Sequence, residues 1–339
     1  LGSVLGYLVA GVVIGPVTGL VGQEALTLQH FAEFGVVMML FLVGMELDPK
    51  SLWAMRVRLL GLGGLQVTLT AAAATCFAWS LGMAWQTAVA VGFLFSLSST
   101  AIVLQTLTER GLVKTEGGQS AFSVLLFQDS LSLVENLPGW AHGLAVVGAI
   151  VIVIICGHYL SRPLFRYVVR SGMREVFTAA SLMLIIGIAA LMSLVNLSPA
   201  LGAFLAGVVL ANSEFRHELE ANIEPFKGLL LGLFFMTVGA GINFGVLAAS
   251  WDTIFLLALA VIIGKTLILF GLAFAFGIRG SEGWLFSLGL AQAGEFGFVL
   301  LTYSTQNQVI PADTAQALSL VVALSMFLTP LLFIVYDRV

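Results

Sequence analysis

Charge is what this sequence has least of. Only 9% of its 339 residues are Asp, Glu, Lys or Arg, where a soluble protein carries about a quarter, so an ordinary water-soluble domain is excluded. The 14 basic residues are balanced by 18 acidic ones, giving a net charge of -4. They form no cluster dense enough to grip a phosphate backbone, which excludes nucleic-acid binding. Cysteine is nearly absent. Cys76 and Cys156 both lie inside apolar runs, which argues against a disulfide framework and leaves reactive-thiol chemistry without support. There is no Ser-His-Asp order, no phosphate-binding glycine loop and no pair of intramembrane aspartates. His30, His142, His158 and His217 stand at or near the ends of apolar segments without metal-ligand spacing, and read as interfacial residues. Neither an enzyme nor a resident metal or cofactor is expected. No secretory signal is visible in the sequence either. The chain opens inside an apolar segment at Leu1 without Met, and closes just after another, so both ends read as cut.

What is abundant is apolar: 59% hydrophobic residues and 37 glycines, with a mean hydropathy of +1.06. About 20 apolar residues cross a bilayer core as a helix. Twelve candidates lie near residues 1–15, 31–47, 59–82, 85–108, 119–134, 143–160, 176–195, 199–212, 227–244, 252–276, 284–306 and 315–336. The first, fifth and eighth are short, and read as broken, tilted or incomplete. Lysine and arginine stay on the cytoplasmic side of short loops. Lys50, Arg56 and Arg58 follow span two, Arg110 and Lys114 span four, and Arg162, Arg166, Arg170 and Arg174 span six. Arg216 and Lys227 follow span eight, Arg279 span ten and Arg338 span twelve. Every basic residue except Lys265 therefore sits in an alternate loop, which predicts both visible ends in the cytoplasm.

An internal repeat is visible. Leu5 to Gly15 matches Leu201 to Ala211 at an offset of about 196, and Val43 to Asp48 matches Val238 to Asn243 at about 195. The partners lie seven spans apart, so the halves, approximately 1–142 and 197–339, are expected to be inverted in the membrane. Inverted repeats mark secondary transporters, whose site lies near the midplane beside interrupted helices. Span four carries Ser96, Leu97, Ser98, Ser99 and Thr100 at its centre, and span eleven carries Ala291, Gln292, Ala293, Gly294 and Glu295. Both are expected to break there, with small-residue helix packing as the plainer alternative.

Charge inside a bilayer is costly and marks function. Asp129 lies ten residues into span five, roughly 15 Å or half the core, and Lys265 and Glu295 fall near the same depth. Asp129, preceded by Gln128, can hold a proton or a cation; if only one at a time, alternating access turns competition into exchange. The alternative is an Asp locked permanently to Lys265. Lys265 itself reads as a released salt-bridge partner or as a fixed charge at broken helix ends. Glu295 reads as a cap or dipole-compensating group before a cation carrier. Ser98, Ser99 and Thr100 are either oxygen ligands or structural. The loop from Asn212 to Lys227, with Glu214, His217, Glu218, Glu220 and Glu224, reads as a solvated turn or a regulatory contact.

These stretches resemble the membrane domain of the cation:proton antiporter-2 family, in its glutathione-gated Kef-type potassium efflux branch. The resemblance rests on Leu1 to Pro16, Phe31 to Asp48, Leu97 to Ile102, Leu125 to Asp129, Ile223 to Phe235, Gln292 to Phe296 and Ala323 to Met326. It implies an all-α polytopic protein of about 12 transmembrane helices with two crossed broken helices, the sodium/proton antiporter-like fold. It also implies a core of spans three to five and ten to twelve that moves against a dimerisation domain. Asp129 then matches the cation- and proton-binding aspartate, Gln128 its neighbour, and Lys265 the lysine that pairs with that aspartate in many relatives. The implied partners are protons and K+ or Na+ exchanged one for one, membrane lipid, a second copy of the chain, and a cytosolic nucleotide-binding domain contacting the acidic loop at His217 to Lys227. The implied location is a bacterial inner membrane. A gated cation channel and a non-transporting membrane sensor are the alternatives. Three departures from the resemblance are read: the span the family normally has before Leu1 and its C-terminal nucleotide-binding domain are not in this sequence, and after Asp129, where Glu135, Asn136 and Pro138 soon follow, span five reads as shortened or as missing residues.

Overall fold

The computed structural model describes residues 3–20, 28, 31–46, 55–131, 148, 151–155, 157, 159, 161–170, 173–195 and 198–337. Most of the expected span at 143–160 lies outside the described residues, as do the stretch from Glu135 to Pro138, Cys156, Lys50, Arg338, His30, His142 and His158.

All regular structure among the described residues is helical, as a chain this apolar requires. A lipid core offers no partner to a backbone N–H or C=O, and a helix pairs them internally. The helices are α1 (Ser3–Val12, continued as a π-turn through Val13–Val17), α2 (Phe34–Glu46), α3 (Gly63–Ser80, entered by a π-turn at Arg58–Leu62), α4 (Trp85–Ser96), α5 (Thr100–Glu109) and α6 (Glu116–Leu131). They continue as α7 (Ser161–Arg170), α8 (Arg174–Leu194), α9 (Pro199–Leu210), α10 (Arg216–Ala240) and α11 (Phe244–Ala249). The last four are α12 (Trp251–Ala275), α13 (Ser281–Gly289), α14 (Phe296–Gln306) and α15 (Ala312–Tyr336). Among the described residues, six stretches are long and apolar enough to span, at Arg58–Ser80, Trp85–Glu109, Glu175–Leu194, Arg216–Ala240, Trp251–Ala275 and Ala312–Tyr336; Ser3–Val17, Phe34–Glu46 and Pro199–Leu210 are shorter. Spans four and eleven are each two helices with a gap: α4 and α5 around Leu97 to Ser99, and α13 and α14 around Leu290 to Glu295. Span five begins three residues earlier than expected, at Glu116.

The chain divides into two compact units. The first holds Leu1–Leu28, Val57–Gln128 and Phe235–Val339; the second holds Gln29–Arg56 and Asp129–Phe234. The first unit contains spans three, four, ten, eleven and twelve and most of five, the expected core, together with α1.

Glycines set the closest helix contacts inside each unit. In the first, a Cβ on Gly11 would overlap the carbonyl oxygen of Met236, and one on Gly239 that of Leu8. In the second, a Cβ on Gly207 would overlap the carbonyl oxygen of Phe41, and one on Gly44 that of Phe204. Adding 196 to 8 and 11 gives 204 and 207, and adding 195 to 41 and 44 gives 236 and 239. The α1–α10 contact and the α9–α2 contact are thus built from the same pairs of positions, at the offsets of the sequence repeat.

Candidate functional site

Breaking a helix in an apolar environment strands backbone groups, and each must find a partner. At the first break, α4 ends at Ser96, and the next residue, Leu97, is extended. The Ser96 carbonyl accepts from Nε2 of Gln66 at 3.0 Å and from Nε2 of Gln128 at 3.2 Å. Gln128 also donates to Oε1 of Gln66 at 2.8 Å, and its own Oε1 accepts from the Ser98 N–H at 2.8 Å. Ser99 caps α5 by accepting from the Ile102 N–H at 3.2 Å, and Thr100 opens that helix, buried. At the second break, the Ser98 hydroxyl donates to the Leu290 carbonyl at 2.9 Å, and the Ser325 hydroxyl accepts from the Ala293 N–H at 3.1 Å. A Cβ at Gly294 would stand 2.6 Å from the carbonyl oxygen of Ser98, so glycine is what lets the two breaks cross.

Two charges serve both breaks. Lys265, 2% exposed in the middle of α12, donates to the Leu97 carbonyl at 3.0 Å, the Ser98 hydroxyl at 3.0 Å and the Gln292 carbonyl at 2.7 Å. Its three protons thus meet three neutral oxygens, at the ends where α4 and α13 stop and helix carbonyls concentrate negative potential. Glu295 is the residue before α14, and its Oε1 accepts from the Ala101 N–H of α5 at 3.3 Å. A carboxylate therefore lies at the amide ends of the two second half-helices, where positive potential concentrates. Lys265 and Glu295 thus both bond to atoms of the two breaks, and the Ser98 and Ser99 hydroxyls are engaged in holding them. Asp129 follows Gln128 in α6 and is 2% exposed. One residue along from the amide that grips the break, it is a buried carboxylate able to take a proton or a cation.

Sequence reasoning missed three members. Gln66 completes the Gln128 pair, Ser325 supplies the hydroxyl for Ala293, and the side chain of Gln292 lies in the second break, 0% exposed. A glutamine inside span three and a serine at the centre of span twelve were the available signals.

The acidic loop requires correction. Arg216–Ala240 is one helix, α10, running through Pro225, so His217, Glu218, Glu220, Glu224 and Lys227 lie on its first turns. Phe215, Leu219, Ile223 and Lys227 recur every four residues and are buried, and Arg216 pairs with Glu220 at 2.7 Å and Lys227 with Glu224 at 2.7 Å. Helical spacing of both the apolar stripe and the ion pairs outweighs the acidic composition. His217, Glu218 and Glu224 face outward, whereas Lys227 is buried.

Two solved structures of the sodium proton antiporter MjNhaP1 from Methanocaldococcus jannaschii, one at pH 8 and one an electron-microscopy map, superpose with TM-scores of 0.66 and 0.69. Each is 15% identical and covers 98% of this chain, and 90% and 89% of the respective antiporter chain is matched. All-helical among the described residues, with two crossed broken helices, the molecule has the sodium/proton antiporter fold. The glutathione-regulated potassium-efflux system protein KefC of Escherichia coli K12 is 44% identical over 353 aligned residues, covering 100% of this chain and 57% of KefC. KefC of strain UMN026 matches to the same extent, so the chain spans a little over half the length of these curated relatives. The family model described as sodium/hydrogen exchanger, transmembrane, matches residues 1–334. The chain belongs to this family of integral membrane exchangers, which are carriers and not enzymes.

Proposed function

We propose that this chain is the membrane domain of a proton-coupled monovalent cation antiporter that exchanges potassium for protons by alternating access, with cation and proton competing for Asp129. The observation that carries the reading is Asp129 itself, a buried carboxylate adjoining Gln128, whose amide is bonded into the first helix break. With Lys265 and Glu295 committed to the helix ends, Asp129 is the acidic group left to exchange its counter-ion. Gln128 positions it. A single such carboxylate gives electroneutral one-for-one exchange, and no cofactor is needed beyond the transported ions. Potassium is favoured because the KefC relatives are potassium-efflux proteins by name.

The halves 1–142 and 197–339 act as inverted repeats in this reading, supported by the four glycine contacts at matching offsets. The protein sits in a bacterial inner membrane with both visible ends in the cytoplasm, as a homodimer in lipid. The outward-facing His217, Glu218 and Glu224 of α10 form the contact for a cytosolic nucleotide-binding domain, with the half-buried Glu220 and the buried Lys227 shaping the helix behind them; KefC extends well beyond the matched part.

In proteoliposomes of the full-length protein, added potassium should dissipate an imposed pH gradient, and Asp129→Asn should abolish that response. Wild-type rates in the mutant would sink the competition mechanism. Flux that ignores the proton gradient would indicate a channel instead.

A further inference from the structure

A cavity of about 390 Å³ lies wholly within the first unit, a size typical of small-ligand pockets. Its two walls are α3 and α12, and Val91 and Phe95 of α4 with Leu318 of α15 close it. The start of α3 meets the end of α12, where a Cβ on Gly61 would stand 3.4 Å from the ring of Phe276. The two helices run antiparallel from there, and the cavity occupies the space between their other halves, from Thr70 to Leu81 on α3 and from Ile268 to Leu257 on α12. Each stretch rises about 17 Å at 1.5 Å per residue, close to half of a hydrocarbon core of about 30 Å. The cavity is therefore about one leaflet deep.

Its lining is hydrocarbon, because the polar members are engaged elsewhere. Lys265 donates its three protons to oxygens of the breaks and leaves only its methylene stem to the cavity; the Thr70 hydroxyl accepts from Nε2 of Gln66 at 3.3 Å. A ligand that needs an ionic partner finds none in these walls, whereas a flexible hydrocarbon chain supplies the dispersion contacts they lack.

Phe77, Leu81 and Ile263 on the rim are exposed, so the cavity is continuous with the surface that an integral membrane protein presents to lipid. Trp79, Trp85 and Trp251, also exposed, stand at the ends of α3, α4 and α12 beyond it, and tryptophan at helix ends marks the head-group level. Charge at that end is acidic. Asp252 lies in the first turn of α12, and the sequence carries no Lys or Arg between Arg58 and Arg110 or between Lys227 and Lys265. An anionic head group is repelled there, while a zwitterionic one brings an ammonium or choline to Asp252. We propose that this cavity is a binding site for one acyl chain of a zwitterionic phospholipid, its head group level with Trp79, Trp85 and Trp251 and its chain reaching through one leaflet to the stem of Lys265. The bound chain packs α12 against α3 and keeps water from that stem, so that the lysine stays on its three oxygens. The inference concerns the body that holds the breaks, and it stands whichever ion the protein carries.

The test uses the full-length protein, purified in detergent and stripped of lipid, with dioleoylphosphatidylcholine as the probe. Native mass spectrometry reads the lipid retained, and the melting temperature reads its effect. Gly264 lines the cavity, and a Cβ on it would meet nothing within 4 Å, so Gly264→Phe fills the space without moving the backbone. Wild type should retain one phosphatidylcholine per chain and melt higher with it. Dihexanoylphosphatidylcholine, with the same head group but chains too short to reach Lys265, should do neither. Gly264→Phe should lose both the retained lipid and the melting shift, while Leu256→Phe, on the exposed face of the same helix outside the cavity, keeps both. Retention in Gly264→Phe equal to wild type overturns the site. Preferential retention of oleic acid from an equimolar mixture overturns the zwitterionic occupant, and loss of a dimer mass in Gly264→Phe with its lipid still bound would give the cavity to a second copy of the chain and overturn the proposal as well. Should Gly264→Phe fail to fold, Ala74→Leu on the α3 wall carries the same expectation, and wild-type retention there is equally fatal.

Discussion

Lys265 holds three oxygens that belong to three different residues of the two breaks. Substituting Met keeps the aliphatic stem and strands the Leu97 and Gln292 carbonyls, at a cost of about 1–3 kcal/mol for each buried group left unpaired, while the Ser98 hydroxyl keeps its bond to the Leu290 carbonyl. Lys265→Met should therefore lower the melting temperature of the purified protein, and Lys265→Arg, which keeps the charge, should recover part of the loss. Unchanged melting in Lys265→Met would return Lys265 to the role of a counter-ion for Asp129. That alternative was open from the sequence, because a lysine and an aspartate at one depth fit either arrangement. The ammonium bonds at the carbonyl ends of α4 and α13, and no spacing in the chain encodes that direction. Gln66 was hidden for a related reason: one polar residue in an apolar span has no visible partner until α6 brings Gln128 beside it.

The broken spans are the elements on which the site depends, and they were legible. Runs of small and hydroxyl residues at Ser96 to Thr100 and Ala291 to Glu295 interrupt otherwise apolar helices, and the helices stop within a residue or two of them. The supporting contacts came from other spans and were not legible. Ser325 is one. Its hydroxyl is the partner of the Ala293 N–H, so Ser325→Ala should destabilise the protein by roughly 1–3 kcal/mol, measurable as a lower melting temperature, whereas Ser325→Thr, which keeps the hydroxyl, should lose less. The start of α10 shows the opposite failure. Composition suggested a loop, while Phe215, Leu219 and Ile223 at intervals of four carried a helical stripe that acidic residues masked.

For the whole molecule, the repeat makes a paired prediction. Gly11 and Gly207 occupy matching positions and each faces a carbonyl oxygen that leaves no room for Cβ. Gly11→Leu and Gly207→Leu should therefore cause comparable losses of stability, each large enough to lower the yield of folded protein in detergent. A severe effect at one and none at the other would argue against the repeat. Twelve apolar segments and alternating basic loops gave the span pattern in the sequence, but the division of the chain at Gln128 and Phe234 did not follow from it. That division depends on which helices pack, and apolar faces of similar composition do not encode their partners.

Competition between proton and cation at Asp129 is the claim on which transport rests, and the pH dependence of potassium affinity tests it directly. In proteoliposomes with potassium titrated at a series of pH values, the apparent KM should rise as pH falls, approaching about tenfold per pH unit once Asp129 is mostly protonated, with the maximal rate little changed. A potassium KM that stays constant across that range, with pH altering only the maximal rate, would contradict a shared site.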